Sequence, residues 1–237
     1  MKEGWAGQIR VLGASRYGPL LIVLTILLSI GPPLAEWRHG ELAVAALFIS
    51  LMLSAAAAVS HVPKTRRRLL TFALVVIAAD TSLALDPAMP QIVAVGSLRA
   101  AFLAFVTIAI LSHVVRTDRV THDTILGGIV VYLLIGFFFQ SAYGLVEIFH
   151  PGSFLAGDVA VSALPGVDRA HGRYPALVYY SFVTLSTVGF GDITPTWSLP
   201  QSLSTAEAVV GQLYLAILVA SLVGMRLAGA SPRPDDP

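Results

Sequence analysis

Apolar runs separated by short polar or proline-containing breaks dominate the chain. The runs Tyr17 to Ala35, Leu42 to Val62, Leu69 to Leu85, Ile92 to Val115, Ile125 to Phe149 and Leu203 to Leu227 are each long enough for a helix to cross a hydrocarbon core of about 30 Å. The polar turn Glu36 to Glu41 ends the first. Asp86-Pro87-Ala88-Met89-Pro90 separates the third from the fourth, because proline lacks the N–H that a helix interior needs. Between the fifth and last runs the pattern changes. His150 to Arg173 is polar, contains Gly and Pro, and has no helical periodicity; Pro175 then opens a short helix to about Ser186, as suits proline in a first turn. This pattern predicts an all-α membrane protein of six transmembrane helices plus one short re-entrant helix.

Composition points the same way. With 56% hydrophobic and 12% charged residues over 237 positions, the chain is too apolar for a soluble domain. The absence of cysteine excludes disulfides and thiolate metal sites. A net charge of +1 gives no reason to expect nucleic acid as a partner.

Charge placement predicts the topology. Lys2, Arg10, Arg16, Lys64, Arg66, Arg67, Arg68, Arg116, Arg119, Arg226 and Arg233 fall on one side of a six-span arrangement, against Arg38, Arg169 and Arg173 on the other. The positive-inside rule then makes both termini cytoplasmic and the protein a multi-pass protein of the cell membrane. Lys2, Arg10 and Arg16 before Leu20 to Ile30 have the look of a signal peptide, but Pro33 stands where cleavage wants a small residue, and five remaining spans would spoil the charge bias. The run Lys64 to Arg68 reads as a topology determinant rather than a site for anionic lipid headgroups.

The chemistry concentrates in Thr187-Val188-Gly189-Phe190-Gly191-Asp192. Successive carbonyls that point one way require backbone angles that residues with a Cβ resist, and Gly189 and Gly191 relieve this at alternate positions. Together with Arg173 to Ser186 before it, which carries the Tyr179-Tyr180 pair and a threonine run, this stretch resembles the pore helix and selectivity filter of potassium channels. The resemblance extends from Ile125 to Leu227 in the order outer helix, turret, pore helix, filter, inner helix. It implies that Thr187, Val188, Gly189, Phe190 and Gly191 form the ion-binding filter, their carbonyls replacing the hydration shell of K+, with the Thr187 hydroxyl as the innermost ligand. K+ is then the permeant ion, and no organic cofactor is implied. Because one chain supplies a quarter of each ligand ring, the implied assembly is a homotetramer surrounded by membrane lipid.

Several residues receive supporting roles from the same resemblance. Tyr179 and Tyr180 belong to an aromatic cuff, with a phenol donating to Asp192 or to a neighbouring strand; packing of the two rings in a core is the competing reading. Glu147 is similar to a carboxylate tying the outer helix to the segment after the filter. Glu207, one turn before Gly211, is expected to hydrogen-bond to pore-helix groups, since an ionisable group at that depth is costly unless paired or hydrated. Gly211 stands at the expected inner-helix hinge, or is a small residue that allows close packing. Two departures are visible. Phe190 replaces the commoner tyrosine, and Val183 stands where some of these channels carry a buried glutamate.

The layout divides as residues 1–16, a cytoplasmic N-terminus; 17–119, a four-helix domain resembling a voltage sensor; 120–229, the pore domain; and 230–237, a cytoplasmic tail. A voltage sensor needs cations at every third position, each contributing about 2.3 kcal/mol per 100 mV. Here Arg99 is followed at that spacing by Phe102, Phe105 and Ile108, and only His113, Arg116 and Arg119 resume it. Arg99 paired with Asp80 of the third helix makes an inter-helix tie, so the expectation is weak or no voltage gating. The terminal segments are too short for a cytosolic ligand-binding domain, which leaves the gating ligand unidentified. His61, His113, His122, His150 and His171 read as interfacial histidines, with proton sensing as the alternative. The rival functions are a non-selective cation channel, a regulatory subunit with a silent pore, and a proton-active transporter or enzyme using Asp80, Glu147 and Glu207. The last has no local catalytic motif, and the chain is not expected to be an enzyme.

Overall fold

A computed structural model describes residues 15–35, 40–58, 63–83, 88–117, 121–168 and 174–230. Its helices are α1 (Gly18–Ala35), α2 (Gly40–Ala58), α3 (Pro63–Leu83), α4 (Met89–Val115), α5 (His122–Phe149), the short α6 (Pro175–Leu185) and α7 (Ser198–Ala230). Three short strands, β1 (Phe154–Ala156), β2 (Val159–Ala160) and β3 (Ile193–Pro195), and a 3-10 turn at Val161–Ala163 complete the described elements. By length and composition α1, α4, α5 and α7 are able to cross a membrane; the apolar part of α2, Ala43–Ala58, is shorter. The chain is therefore a mostly helical, multi-pass type of protein. Helix α3 starts six residues before the expected Leu69, so Lys64 to Arg68 lie within its first turns.

Local chemistry sets the ends. Pro90 stands in the first turn of α4, where its missing N–H has no partner to lose. A capping box opens α5: the Thr121 hydroxyl accepts from the Thr124 N–H at 3.2 Å, and Asp123 adds a negative charge beside the exposed amides. Pro175 again starts α6.

Consecutive helices α1 to α4 pack pairwise, α4 packs along α5, and α1 returns to touch both α5 and α6. The N-terminal helices thus rest on α5 of the same chain through α1 and α4. Their core holds Leu20, Leu24, Leu51, Met52, Phe102 and Leu103, all fully buried or nearly so, and an edge-on contact of Phe72 with Phe102 joins α3 to α4. At one end, Arg16 donates through Nε to the Ala58 carbonyl at 2.6 Å and meets His113 Nε2 at 3.1 Å, and its ring neighbour is Tyr17. Lys2, Arg10, Arg38, His61, Arg119, Arg169, His171, Arg173 and Arg233 lie outside the described residues.

The stretch after α5 is more ordered than its sequence predicts. The strands form an antiparallel sheet in the order β2-β1-β3, with Leu155 opposite both Ala160 and Thr194. β3 follows directly on Asp192, so the sheet joins the loop after α5 to the chain leaving the 187–191 segment.

Candidate functional site

Helix α6 ends at Leu185, and the next residues turn back on it. The N–H groups of Thr187 and Val188 donate to the carbonyls of Thr184 and Val183, at 2.9 and 3.0 Å. Thr187, Gly189 and Gly191 then adopt φ of +58°, +57° and +77°. Every second residue is left-handed, which turns successive peptide planes so that neighbouring carbonyls can share one side. Glycine does this freely, whereas a β-branched threonine in that region is a strained outlier of the kind held at functional sites. The sequence reading anticipated relief at the two glycines and missed the strain at Thr187. No backbone N–H of a described residue donates to the carbonyls of Thr187 to Gly191, and all five residues are exposed in the single chain.

Two side chains and one backbone N–H hold this segment and its exit from three directions. The Tyr179 hydroxyl donates to Asp192 Oδ2 at 2.7 Å, and the Tyr179 ring stacks parallel to Phe190. From α7, Gln212 Nε2 donates to Thr187 Oγ1 at 2.7 Å. From outside, the Gly157 N–H reaches the Asp192 carbonyl at 3.3 Å. Of these partners, sequence reasoning missed Gln212. Its signal was available: an amide within the apolar run that follows Glu207.

The supports behind α6 are buried. Tyr180 does not touch Asp192; its hydroxyl meets Ser204 Oγ on α7 at 2.6 Å, and its ring lies edge-on to Tyr143 and Phe154. Glu207 is fully buried, with Oε2 2.5 Å from the Tyr143 hydroxyl and Oε1 2.5 Å from Ser181 Oγ on α6. Ser181 also lies 2.7 Å from the Gly136 carbonyl of α5. Tyr143 and Ser181 had no role in the sequence reading. Gly211 packs so tightly against α6 that a Cβ there would come within 2.3 Å of the Leu185 carbonyl oxygen. This geometry favours close packing over a hinge at that position.

Glu147, also fully buried, acts on the near side of the sheet. Its carboxylate accepts from the N–H groups of Gly152 at 2.8 Å and Phe154 at 3.2 Å, fixing the turn into β1. Its link to the chain after Asp192 is therefore indirect and runs through the β1–β3 pairing. Thr196 N–H to the Ser153 carbonyl, at 3.0 Å, and Trp197 Nε1 to Ser153 Oγ, at 2.8 Å, tighten the same junction. In the other half of the molecule Arg99 is ion-paired with Asp80 and lies over the Phe48 ring. Among the described residues no cluster of His, Asp and Glu could hold a metal ion.

Residues 125–226 match the family described as ion channel. The matched segment begins in α5 and ends in α7, so it covers residues 187–191 and the side chains that hold them, but not the Arg99–Asp80 pair. No curated protein and no solved structure matches the chain. The match over residues 125–226 supports an ion channel domain and passive ion conduction, and together with the apolar helices a multi-pass membrane protein.

Proposed function

We propose that this protein is a K+-selective channel of four identical chains, with Thr187 to Gly191 of each chain forming a quarter of the filter. The observation that carries this reading is the alternation of left-handed residues at 187, 189 and 191, followed by carbonyls that no backbone N–H of a described residue occupies. Polar backbone cannot face lipid unpaired, since each unsatisfied group costs several kcal/mol, on the order of the transfer penalty for an amide. Bare carbonyls of one chain are satisfied when copies meet around an axis and an ion replaces the missing donors. The C-terminal end of α6 points its partial negative charge toward that place and favours a cation.

Assembly is further supported by α7, whose Val209, Val210, Leu213, Ile217, Val219 and Val223 are exposed in the single chain. In the tetramer these meet neighbouring chains and lipid. We assign both termini to the cytoplasm and the protein to the cell membrane on the charge bias, and take α2 and α3 as the two remaining spans. Weak or absent voltage gating is supported by Arg99, whose guanidinium is held by Asp80 rather than placed in a ladder of cations.

Reconstituted protein tests this directly. Liposomes loaded with K+ are expected to show K+ flux that Gly189→Ala abolishes, because a Cβ at φ of +57° strains the backbone although no atom stands within 4 Å. Reversal potentials in mixed K+ and Na+ separate a selective pore from a non-selective one. Steep activation over a physiological voltage range would overturn voltage insensitivity, and equal flux in the Gly189→Ala variant would remove the filter assignment.

A further inference from the structure

Glu207 poses a question of hydrogen counting. Three short contacts run in a line from α5 through α7 and α6 back to α5: Tyr143 hydroxyl to Glu207 Oε2, Glu207 Oε1 to Ser181 Oγ, and Ser181 Oγ to the Gly136 carbonyl. A carboxylate and a backbone carbonyl only accept, and a serine hydroxyl carries one hydrogen. If Glu207 is ionised, the line holds two hydrogens for three contacts, and Ser181 faces two acceptors with one donor. If Glu207 carries a proton on Oε1, each contact has its own hydrogen: Tyr143 donates to Oε2, Oε1–H donates to Ser181, and Ser181 donates to Gly136.

Surroundings decide the same way. Tyr143, Ser181 and Glu207 are all fully buried. The titratable groups facing this place are Tyr143 and Tyr132 from α5 and Tyr180 from α6, none of them a cation. Tyr180 is itself engaged with Ser204, which in turn donates to the Pro200 carbonyl at 2.7 Å. Among the described residues the one Arg–carboxylate pair is Arg99 with Asp80, in another part of the fold. A buried carboxylate with no counter-charge is the arrangement proteins avoid by taking up a proton.

We infer that Glu207 is a proton-binding site occupied at neutral pH, a neutral carboxylic acid whose O–H fastens α7 to the middle of α6. It is a positioning residue: it touches no permeating ion and acts through Ser181 on the helix that leads into residues 187–191. Stripping this proton in alkaline solution leaves a charge with no cation beside it and removes the donor to Ser181, so α6 loses its tie and conduction falls. The effect on conduction rests on the function proposed above; the protonation state does not.

Infrared spectroscopy of the full chain in lipid nanodiscs reads the proton itself. In the difference between wild type and Glu207→Gln at neutral pH, the wild type is expected to show the C=O stretch of a protonated carboxyl that moves down in D2O. At alkaline pH carboxylate bands replace it. Only carboxylate bands at neutral pH would overturn the inference. Glu207→Gln keeps a donor toward Ser181 and an acceptor toward Tyr143; if it fails to fold, 13C-glutamate in the unmutated chain supplies the same readout. In liposomes the ratio of alkaline to neutral K+ flux is expected to drop several-fold in wild type and to stay flat in Glu207→Gln; an equal drop in both removes Glu207 as its origin. A chain without K+ flux at any pH refutes the channel reading and leaves the infrared result to decide the proton.

Discussion

Gln212 Nε2 donates to Thr187 Oγ1 across 2.7 Å, so α7 holds the hydroxyl of the one non-glycine residue with positive φ among the described residues. In the proposed filter this bond leaves a lone pair on Oγ1 for the ion and sets its direction. Gln212→Leu removes the donor at nearly constant volume. Losing one such bond is worth about 0.5–1.5 kcal/mol, and about 1.4 kcal/mol is a factor of ten. The expected outcome is a several-fold lower K+ over Na+ permeability ratio, read from bi-ionic reversal potentials, with the tetramer intact by size-exclusion chromatography.

Arg99 and Asp80 test the four N-terminal helices. Removing one partner, as in Arg99→Met, deprives the half-buried Asp80 carboxylate of its guanidinium and is expected to destabilise by about 1–3 kcal/mol. Replacing both, Arg99→Met with Asp80→Leu, recovers most of this. Thermal unfolding in detergent measures it. Current–voltage curves of the double variant should overlay those of wild type, because a tie and not a gating charge has been removed.

Gly211→Ala separates packing from hinge bending. The added Cβ meets backbone, the Leu185 carbonyl, which has no rotamer to escape into. Lower thermal stability of the assembled protein is the expected result. Unchanged stability with altered open probability would instead favour a hinge.

Glu147 accepts two backbone N–H groups in the turn before β1. Glu147→Ala leaves both buried donors unpaired, at about 1–3 kcal/mol each. Conduction in this variant is expected to decay during sustained recording, while Glu147→Gln, which retains one acceptor oxygen, decays less. Identical decay of the two variants would assign the effect to lost packing.

Tyr179→Phe removes the donor to Asp192 and leaves the stack on Phe190. Because this bond is exposed in the single chain, a shift below about 1 kcal/mol is expected in stability. A change in the response to external K+ is the more sensitive readout.

What the sequence made legible follows from period and composition. Apolar length marked six of the helices, although α3 and α7 begin six and five residues before the runs that mark them, and proline marked the start of α6. Glycine spacing pointed to 187–191 because backbone angles are a local property. The stretch from His150 to Arg173 was opaque for the opposite reason: β1 is three residues long, and its partner β3 lies beyond α6, so no local pattern encodes the pairing. Gln212 and Ser181 were missed for the same cause. Each gains its meaning from an atom on another helix, and a lone polar residue in an apolar run does not say which atom that is.

The pairing of β1 with β3 has a mechanical consequence. A chain leaving the 187–191 segment is bonded at once to the peptide that follows α5, so the exit of that segment is tied to the end of α5 as well as to α7, which begins three residues after β3. Since α4 and α1 pack on that same helix, the N-terminal half has, in the proposed channel, a mechanical route to the 187–191 segment that runs through α5 and the sheet.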